Sequence, residues 1–308
     1  MAESHEGRQG ALQGVSTSPD DFVVEAVDLH KSYPPRKVLR GVTTSMRAGE
    51  IVGLLGLNGA GKTTFVKLLA GLLRPDSGQI RLMGKPITHA AVRQHVALMK
   101  EGQPSLSEFM SPMQCLLYYG HLLGIEDVKK KAVRALELAS LTHVADTPLL
   151  ELSFGTKRRT GLALAYLKGA RLLLLDEASA GLDVKSVATL RSVLKNYASM
   201  GNTVLLTGHE MGFMEAVCDR VILLHEGTIV ADGKLHELSK KYALKQQVEV
   251  WYEGEPILGE VVEVHDGLAR VRLQIHDLGS LDPYKVRYIR LYQSVLENLL
   301  QEVGSVES

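Results

Sequence analysis

The chain has little cysteine: its 308 residues include only Cys115 and Cys218, far apart and in no metal-ligand spacing. This excludes a disulfide scaffold or a structural zinc site and indicates a reducing compartment. Long apolar runs are also missing, since no stretch approaches the roughly 18 residues that a membrane-spanning helix needs. The opening segment MAESHEGRQGALQG has no apolar core typical of a signal peptide, so we expect a cytoplasmic protein.

An excess of one charge is missing as well. Lys and Arg together number 35, and so do Asp and Glu. No overall field attracts nucleic acid or anionic lipid, and we expect no nucleic-acid partner. The distribution is uneven, however, because residues 246–308 hold eleven acids and five bases, whereas the rest of the chain holds 24 acids and 30 bases. This asymmetry favours two units with different roles.

The middle of the chain alternates strand-like and helix-like patterns. A β-branched run at 50–57 (EIVGLLGL) precedes a helical pattern at 62–73 (KTTFVKLLAGLL), and several helical periods without a strong strand follow at 105–170. The run at 171–177 (RLLLLDE) is apolar enough to be buried on both faces, which is typical of an internal parallel strand. These patterns predict an α/β fold with a helical subdomain at 105–170.

The two ends of the chain differ from this middle part. Residues 1–20 are rich in Gly, Ser, Glu and Gln and predict a disordered tail. Alternating strand patterns followed by a helical ending occupy residues 246–308 and predict a small α+β accessory domain. The main domain is therefore expected at 21–245.

A glycine-rich segment provides the strongest chemical signal. Residues 56–63 read GLNGAGKT, fit the pattern G-x-x-x-x-G-K-[ST] and lie between a buried strand and a helix. Such a phosphate loop wraps backbone N–H groups around a polyphosphate, while the lysine reaches the outer phosphates and the last hydroxyl can bind Mg²⁺. The predicted nucleotide-binding residues here are Gly56, Leu57, Asn58, Gly59, Ala60, Gly61, Lys62, Thr63 and Thr64.

Two carboxylates end the run RLLLLDE. In an α/β sheet, the ends of parallel strands open into the crevice where ligands bind. Asp176 is suited to a Mg²⁺ role and Glu177 to polarising an attacking water. Beside a phosphate loop, this role is favoured over a solvent-facing acidic strand end.

The segment LSFGTKRR at 152–159 (the signature segment) allows three interpretations. It could be a solvated helix start, a small basic patch that touches nucleic acid, or a phosphate-binding helix start. In the third case the Ser153 hydroxyl, the backbone at Gly155 and the helix dipole would bind an anion. The three cations at 157–159 are expected on a solvated or packing face of the helix.

The order of these motifs resembles the ATP-binding subunit of ABC (ATP-binding cassette) transporters, from about Val24 to Leu238. The resemblance implies a P-loop NTPase cassette with a RecA-like core sheet, an antiparallel β subdomain and a helical subdomain. The matching positions are Tyr33 for the adenine-stacking aromatic, Gly56–Thr64 for Walker A, Gln103 for the Q-loop, LSFGTKRR for the signature LSGGQ, Asp176 and Glu177 for Walker B, Ser179–Asp183 for the D-loop and His209 for the switch histidine.

The resemblance also implies a mechanism. Two such subunits face each other head to tail and trap two ATP molecules, with Ser153 and Gly155 serving the nucleotide of the opposite subunit and Asp183 among the nucleotide-binding residues. ATP and Mg²⁺ are the implied cofactors, with Thr63, Gln103 and Asp176 at the metal. The implied catalytic residues are Glu177, His209 and Lys62.

The implied partners are an integral membrane permease subunit, as a separate chain, and a second copy or a paralogous ATPase subunit. Phe109, Met110, Pro112 and Met113 would either face the permease or belong to the core of the helical subdomain. The protein would lie peripherally on the inner face of the cell membrane. The region after the Q-loop and the ending LYQSVLENLL resemble ABC-2-type exporters of the drug-resistance, sodium-extrusion, haem and copper branches.

Three function classes remain open. The first is the ATPase subunit of an exporter, the second an ABC protein acting on ribosomes or DNA, and the third a regulatory cassette without turnover. Phe154 departs from LSGGQ, and Ala178, Ser179 and Val184 depart from the usual residues around the D-loop. None of these changes removes a group that contacts nucleotide, so we expect an active ATPase.

Overall fold

The computed structural model describes residues 22–100, 107–177, 181–208, 210–242, 247–256, 258–265 and 267–293, together with residues 296 and 299. Within these ranges the strands are β1 (Phe22–Tyr33), β2 (Arg36–Arg47), β3 (Ile51–Leu55), β4 (Ser77–Leu82), β5 (Lys85–Pro86), β6 (Val96–Met99), β7 (Leu172–Leu175), β8 (Thr203–Thr207), β9 (Arg220–His225), β10 (Thr228–Gly233), β11 (Gln247–Glu253), β12 (Glu260–His265), β13 (Leu268–Gln274) and β14 (Val286–Gln293). The helices are α1 (Lys62–Leu69), α2 (His89–His95), α3 (Pro112–Leu122), α4 (Val128–Leu138), α5 (Phe154–Lys168), α6 (Val184–Ser199), α7 (Met211–Val217) and α8 (Leu235–Lys241).

The central sheet has the strand order β10-β9-β3-β8-β7-β6. Strands β9, β3, β8, β7 and β6 are parallel, and only β10 runs antiparallel, as the second arm of a hairpin with β9. Strands β3, β7 and β8 are buried along their whole length, because helices cover both faces of a parallel sheet. This confirms the predicted α/β fold.

A second, antiparallel sheet has the order β2-β1-β4-β5. Its inner face joins one large core cluster with residues of the central sheet, including Val24, Leu39, Leu54 and Phe65. The tip of the β9–β10 hairpin ties the two sheets together, since the Arg40 N–H donates to the Gly227 carbonyl at 2.8 Å.

Helices α3, α4 and α5 pack on one another around a separate apolar cluster that contains Leu116, Ala132, Leu136 and Ala163. The N-terminus of α3 is fixed by a capping box, in which Ser111 and Gln114 bond to each other's backbone. The N-terminal part of α5 is therefore presented by a helical layer beside the central sheet.

The third sheet, of order β12-β13-β11-β14, is antiparallel and comes from residues 247–293. Further along the chain, Leu296 and Leu299 are fully buried in the cluster formed by α6, α7 and the central sheet. The Leu296 N–H donates to the Glu215 carboxylate on α7 at 2.9 Å. The domain limits at 20, 245 and 308 remain predictions, and residues 1–20 lie outside the described part of the chain.

In the described ranges, none of the helices combines the length and apolar character required to cross a bilayer.

Candidate functional site

Three glycines shape the phosphate loop between β3 and α1. Gly56, Gly59 and Gly61 have φ values of 150°, 82° and 110°, which L-residues with side chains seldom adopt. A Cβ atom at Gly56 would lie 2.2 Å from the Leu224 carbonyl oxygen, and one at Gly61 would lie 2.8 Å from a Leu39 methyl. The loop conformation therefore requires glycine at these positions.

The β9–β10 hairpin supports the same loop from outside the motif. The Gly227 N–H donates to the Ala60 carbonyl at 3.1 Å, and Gly227 has φ 82°. A Cβ atom at Gly227 would lie 2.4 Å from the Val38 carbonyl oxygen. The turn at 226–227 thus also holds the backbone of the phosphate loop.

Lys62 begins α1 and is buried, with 8% of its surface exposed. Its ammonium donates to the carbonyls of Gly56 at 2.6 Å and Leu57 at 3.2 Å. Burial lowers the pKa of Lys62, while the nearby carboxylates of Glu177 and Asp176 act in the opposite direction. The phosphate loop and the two carboxylates are therefore close enough to form one electrostatic site.

Asp176 and Glu177 follow the last residue of β7, and a threonine on the neighbouring strand β8 holds both. The Thr207 hydroxyl donates to Asp176 Oδ1 at 2.5 Å and accepts the Glu177 N–H at 3.0 Å. Thr207 is 1% exposed. Thr207 was not among the predicted site residues. The sequence feature that could have indicated it is a hydroxyl residue at the carboxyl end of a strand, since the acids also follow the carboxyl end of a strand.

Two of the three residues predicted to bind Mg²⁺ lie within the described part of the chain. Thr63 and Asp176 line one cavity of about 240 Å³, together with Val66, Lys67, Leu98 and Lys100. A hydroxyl and a carboxylate are hard oxygen donors of the kind that Mg²⁺ prefers, with substrate phosphates completing the coordination. Among the described residues no group of three or more His, Cys, Asp or Glu side chains forms a metal site. The residues fit a Mg²⁺ that arrives with a nucleotide.

The remaining predicted residues of this group are Tyr33 and the outer residues of the Walker A segment. Tyr33 ends β1 with 45% of its surface exposed, and Lys31 Nζ lies 5.8 Å from its ring centre. Leu57 and Asn58 are exposed at the loop tip, and Thr64 is half-buried in α1. Tyr33 therefore has the exposure that stacking on a base requires. We call residues 33, 56–64, 176 and 177 the phosphate-loop half-site.

The signature segment begins α5, as predicted from its serine. The exposed Ser153 is the N-cap, and its hydroxyl accepts the Thr156 N–H at 3.3 Å. The two hydroxyls of Ser153 and Thr156 lie 2.9 Å apart. Thr156 is a second departure from LSGGQ, and its N–H and hydroxyl complete the cap.

Gly155 is buried where α5 meets the start of α6. A Cβ atom there would lie 2.6 Å from Ser186 Oγ and 2.7 Å from Ser186 Cβ. Asp183 is the exposed N-cap of α6 and accepts the Ser186 N–H at 2.9 Å and its hydroxyl at 2.8 Å. These bonds, the backbone one first, hold the pKa of Asp183 below its usual value. Gly155 thus allows two helix N-termini to lie side by side.

Phe154, which replaces the first glycine of LSGGQ, is half-buried. A Cβ atom at Gly181 would be 3.7 Å from its ring, an ordinary contact distance. The ring therefore packs towards the segment before α6, and the position contributes its backbone N–H to the start of α5.

The signature residues line a cavity of their own. It measures about 730 Å³, and its polar lining is Ser140, Thr142, His143, Ser153, Thr156, Arg159, Asp183, Lys185, Ser186 and Thr189. It has no lining residue in common with the cavity at Thr63 and Asp176. The predicted residues thus fall into two groups, and we call 153, 155 and 183 the signature half-site.

The three cations of the signature segment have separate partners. Lys157 pairs with Glu108 at 3.3 Å, and Arg159 donates to the Ser140 carbonyl at 2.6 Å. Arg158 is buried and donates to the backbone at the end of β7. All three therefore have bonding partners within the chain.

Gln103 and His209 lie outside the described residues, and so do Ala178 and Ser179. Their roles remain predictions.

A glycine-rich loop between a parallel strand and a helix, with a buried lysine and two strand-end carboxylates, defines a P-loop nucleoside triphosphatase. The family model for ABC transporters matches residues 39–180. The chain is 32% identical to the Nod factor export ATP-binding protein I of Sinorhizobium fredii, over 91% of this chain and 83% of that protein. It is 36% identical to the protein of the same name from Burkholderia orbicola, over 73% of each.

A solved structure supports the same assignment. A Clostridium perfringens protein that is part of an ABC transporter complex superposes with a TM-score of 0.64 and 25% identity, covering 72% of this chain and 96% of that one. The chain belongs to the ABC transporter family. It is an ATP-binding cassette of the class that couples ATP hydrolysis to transport, as predicted.

Proposed function

We propose that this chain is the ATPase subunit of an exporter, and that it works as a head-to-tail pair beneath a separate integral membrane permease. The observation that carries the pairing is the division of the predicted nucleotide-binding residues into two half-sites with separate cavities. Each half-site alone offers only part of the contacts that a bound triphosphate needs. A second copy, or a paralogous subunit, turned head to tail brings the complementary half to each.

The phosphate-loop half-site supplies charge and alignment. Backbone N–H groups of the loop and the Lys62 ammonium stabilise the negative charge of the phosphates. Thr63 and Asp176 offer oxygen ligands that would hold the Mg²⁺ of a bound MgATP, which would supply charge neutralisation at the phosphates. Glu177 orients the attacking water and accepts its proton, because it follows Asp176 at the strand end beside the loop.

The signature half-site supplies donors from the other copy. The Ser153 hydroxyl is exposed, and the first N–H groups of α5 have no partner within the helix. These groups and the helix dipole favour an anion such as the outer phosphate of ATP. Since ADP lacks that phosphate, ATP favours the closed pair and hydrolysis favours its opening.

The permease partner is supported by exposed apolar side chains on the helical layer. Phe109 is 83% exposed and Leu150 is 57% exposed, and their backbones adjoin, since the Leu150 N–H donates to the Glu108 carbonyl at 2.8 Å. Tyr118 and Leu122 are also exposed, one turn apart on α3. Two pairs of exposed apolar side chains on one helical layer favour a protein interface there. Of the other residues predicted here, Met110 and Met113 are half-buried and Pro112 is buried.

Export is inferred from the relatives, which are named as export ATP-binding proteins. The position at the inner face of the cell membrane follows from the permease partner. Cargo contacts belong to the permease, so the compound named for the relatives is not assigned to this chain.

Glu177→Gln tests the catalytic part of the proposal. The variant keeps the shape of the side chain and removes its basicity, so we expect phosphate release by the purified full-length chain to fall at least about 100-fold. ATP binding should stay within about two-fold, as measured by fluorescence titration. An unchanged steady-state rate would contradict the assignment and favour a regulatory cassette without turnover.

Mixing two inactive variants tests the pairing. Lys62→Ala disables the phosphate loop, and Ser153→Glu places a negative charge where the partner's phosphate should bind. In a head-to-tail pair, a mixed dimer restores one intact site, so an equal mixture should recover about a quarter of the wild-type rate. A mixture as inactive as each variant alone would contradict shared sites.

Purification from membranes tests the permease partner. The tagged chain should bring down an integral membrane protein from detergent extracts, and Phe109→Asp should weaken this capture. Capture of ribosomes instead, with ribosome-stimulated hydrolysis, would favour the non-transport class.

A further inference from the structure

The signature helix α5 carries a buried arginine that contacts the end of β7. Arg158 is 3% exposed, and one of its terminal nitrogens donates to the carbonyls of Asp176 at 3.1 Å and Glu177 at 2.5 Å. Charged hydrogen bonds to backbone carbonyls in a buried setting are short and strongly directional. The guanidinium therefore fixes the backbone on which both acidic side chains are carried.

Glu177 has an unusual backbone conformation that needs such support. Its φ is 53°, in the left-handed region that non-glycine residues with long side chains seldom adopt. The Glu177 N–H is held by the Thr207 hydroxyl at 3.0 Å, and its carbonyl by Arg158. The residue is thus held on both sides of its Cα, which sets the direction of its carboxylate.

We propose that Arg158 is a positioning residue for Glu177, and that it links the signature half-site to the catalytic carboxylate of the same chain. The proposal rests on the assignment of Glu177 as the group that orients water. Arg158 stands five residues after Ser153 on α5, about 7 Å along the helix axis. A displacement of α5 when Ser153 meets the partner's triphosphate moves the guanidinium, and with it the Glu177 carbonyl.

The link gives each subunit a means to coordinate the two shared sites. The anion that Ser153 binds belongs to one site, and Glu177 serves the other. Removing the guanidinium should therefore impair the chemical step. Nucleotide binding should persist, because the phosphate loop binds it with its own groups.

The central test is Arg158→Met in the full-length chain. We expect kcat for phosphate release to fall about 100-fold, the size of effect expected when a reacting group is misplaced by about 1 Å. KM for ATP should stay within about three-fold, since Lys62 and the loop N–H groups are unchanged and Thr207 still holds the Asp176 carboxylate. Arg158→Lys keeps a buried donor and should lose only roughly three- to ten-fold in kcat.

Lys168→Met is the matched control. Lys168 lies at the other end of α5, is partly buried and donates to the Val96 carbonyl at 2.5 Å. The variant removes the same kind of cation-to-carbonyl bond away from the acids. It should lower the melting temperature less than Arg158→Met, because one bond is lost where Arg158→Met loses two, and it should leave kcat within about two-fold.

A double variant separates this proposal from the proposed function. In the Glu177→Gln background, Arg158→Met should cause no further loss of rate, because there is no catalytic carboxylate left to position. If the losses multiply, or if Arg158→Met behaves as Lys168→Met does, Arg158 is only structural. If Glu177→Gln alone keeps the full rate, the proposed function fails first. Should Arg158→Met not fold, an unchanged kcat for Arg158→Lys overturns the proposal.

Discussion

The two half-sites of this chain are built by different means. In the phosphate-loop half-site, left-handed glycines and a buried lysine fix the anion-binding groups within eight consecutive residues. In the signature half-site, an exposed serine and a buried glycine depend on the packing of α5 against α6, from segments far apart in sequence. A conformation set by the loop's own glycines depends little on how helices pack. A site made by packing between helices is easier to move, which suits the half that must meet a partner.

The largest effect is expected from substitution of Lys62, in the phosphate-loop half-site. Lys62→Met removes the buried ammonium beside the phosphate loop and should lower the rate of phosphate release by about 10²- to 10³-fold while also weakening ATP binding. Equilibrium titration and a phosphate-release assay measure the two effects. Lys168→Met again serves as control, since that lysine also donates to a backbone carbonyl. Normal ATP binding by Lys62→Met would show that the phosphate-loop half-site does not depend on its buried lysine, which contradicts this comparison of the two half-sites.

Gly155→Ala tests the packed half. The added methyl meets Ser186 at less than 3 Å, so α5 and α6 must separate, at a cost of about 1–3 kcal/mol in unfolding free energy. We expect kcat to fall about ten-fold or more, with ATP affinity of the isolated subunit nearly unchanged. Gly212→Ala is the control, because a Cβ atom at that helical glycine has open space. Equal behaviour of the two variants would disprove the close-packing explanation.

Thr207→Val sharpens the description of the phosphate-loop half-site. The valine leaves Asp176 Oδ1 without its donor and the Glu177 N–H without its acceptor, so the half-maximal Mg²⁺ concentration for hydrolysis should rise about ten-fold. Thr203→Val on the same strand removes a hydrogen bond to the Arg47 carbonyl and should leave the Mg²⁺ requirement as it is. A Mg²⁺ titration of the hydrolysis rate compares both, and an identical curve for Thr207→Val and wild type would rule out this role.

The smallest effect is expected at Phe154. Phe154→Gly restores the first glycine of LSGGQ but loses the contact with the segment at Gly181. It also places a glycine in the first turn of α5, so the free energy of unfolding should fall by about 0.5–1 kcal/mol from helix propensity alone. The rate should change less than about three-fold, because only the backbone at this position serves the anion. A large gain in rate would show instead that the ring obstructs the signature half-site.

Much of the site could be predicted from the sequence because its determinants are local. The phosphate loop needs glycines at fixed spacing, and a serine before a helix predicts an N-cap. Thr207 and Arg158 could not be predicted in this way. Thr207 bonds to Asp176 across 31 sequence positions, because β7 and β8 are adjacent strands. Arg158 bonds to Glu177 across 19 positions, because α5 packs against the end of β7.

The fold class was predictable for a related reason: strands buried on both faces have a distinct composition. The attachment of Leu296 and Leu299 to the core beside α7 has no such signal. Two leucines in a helical pattern predict that one helix face is buried, but they do not predict which part of the protein that face contacts. Gln103 and His209 remain predictions from the resemblance alone.

The glycine at the tip of the β9–β10 hairpin has a consequence for genetics. Gly227 holds Ala60 of the phosphate loop and has no room for a side chain against Val38. A random mutagenesis screen for loss of ATP binding should therefore yield substitutions at position 227 together with those at positions 56–62, although the hairpin lies outside any nucleotide-binding motif. In that sense the phosphate loop has one more glycine than its motif contains.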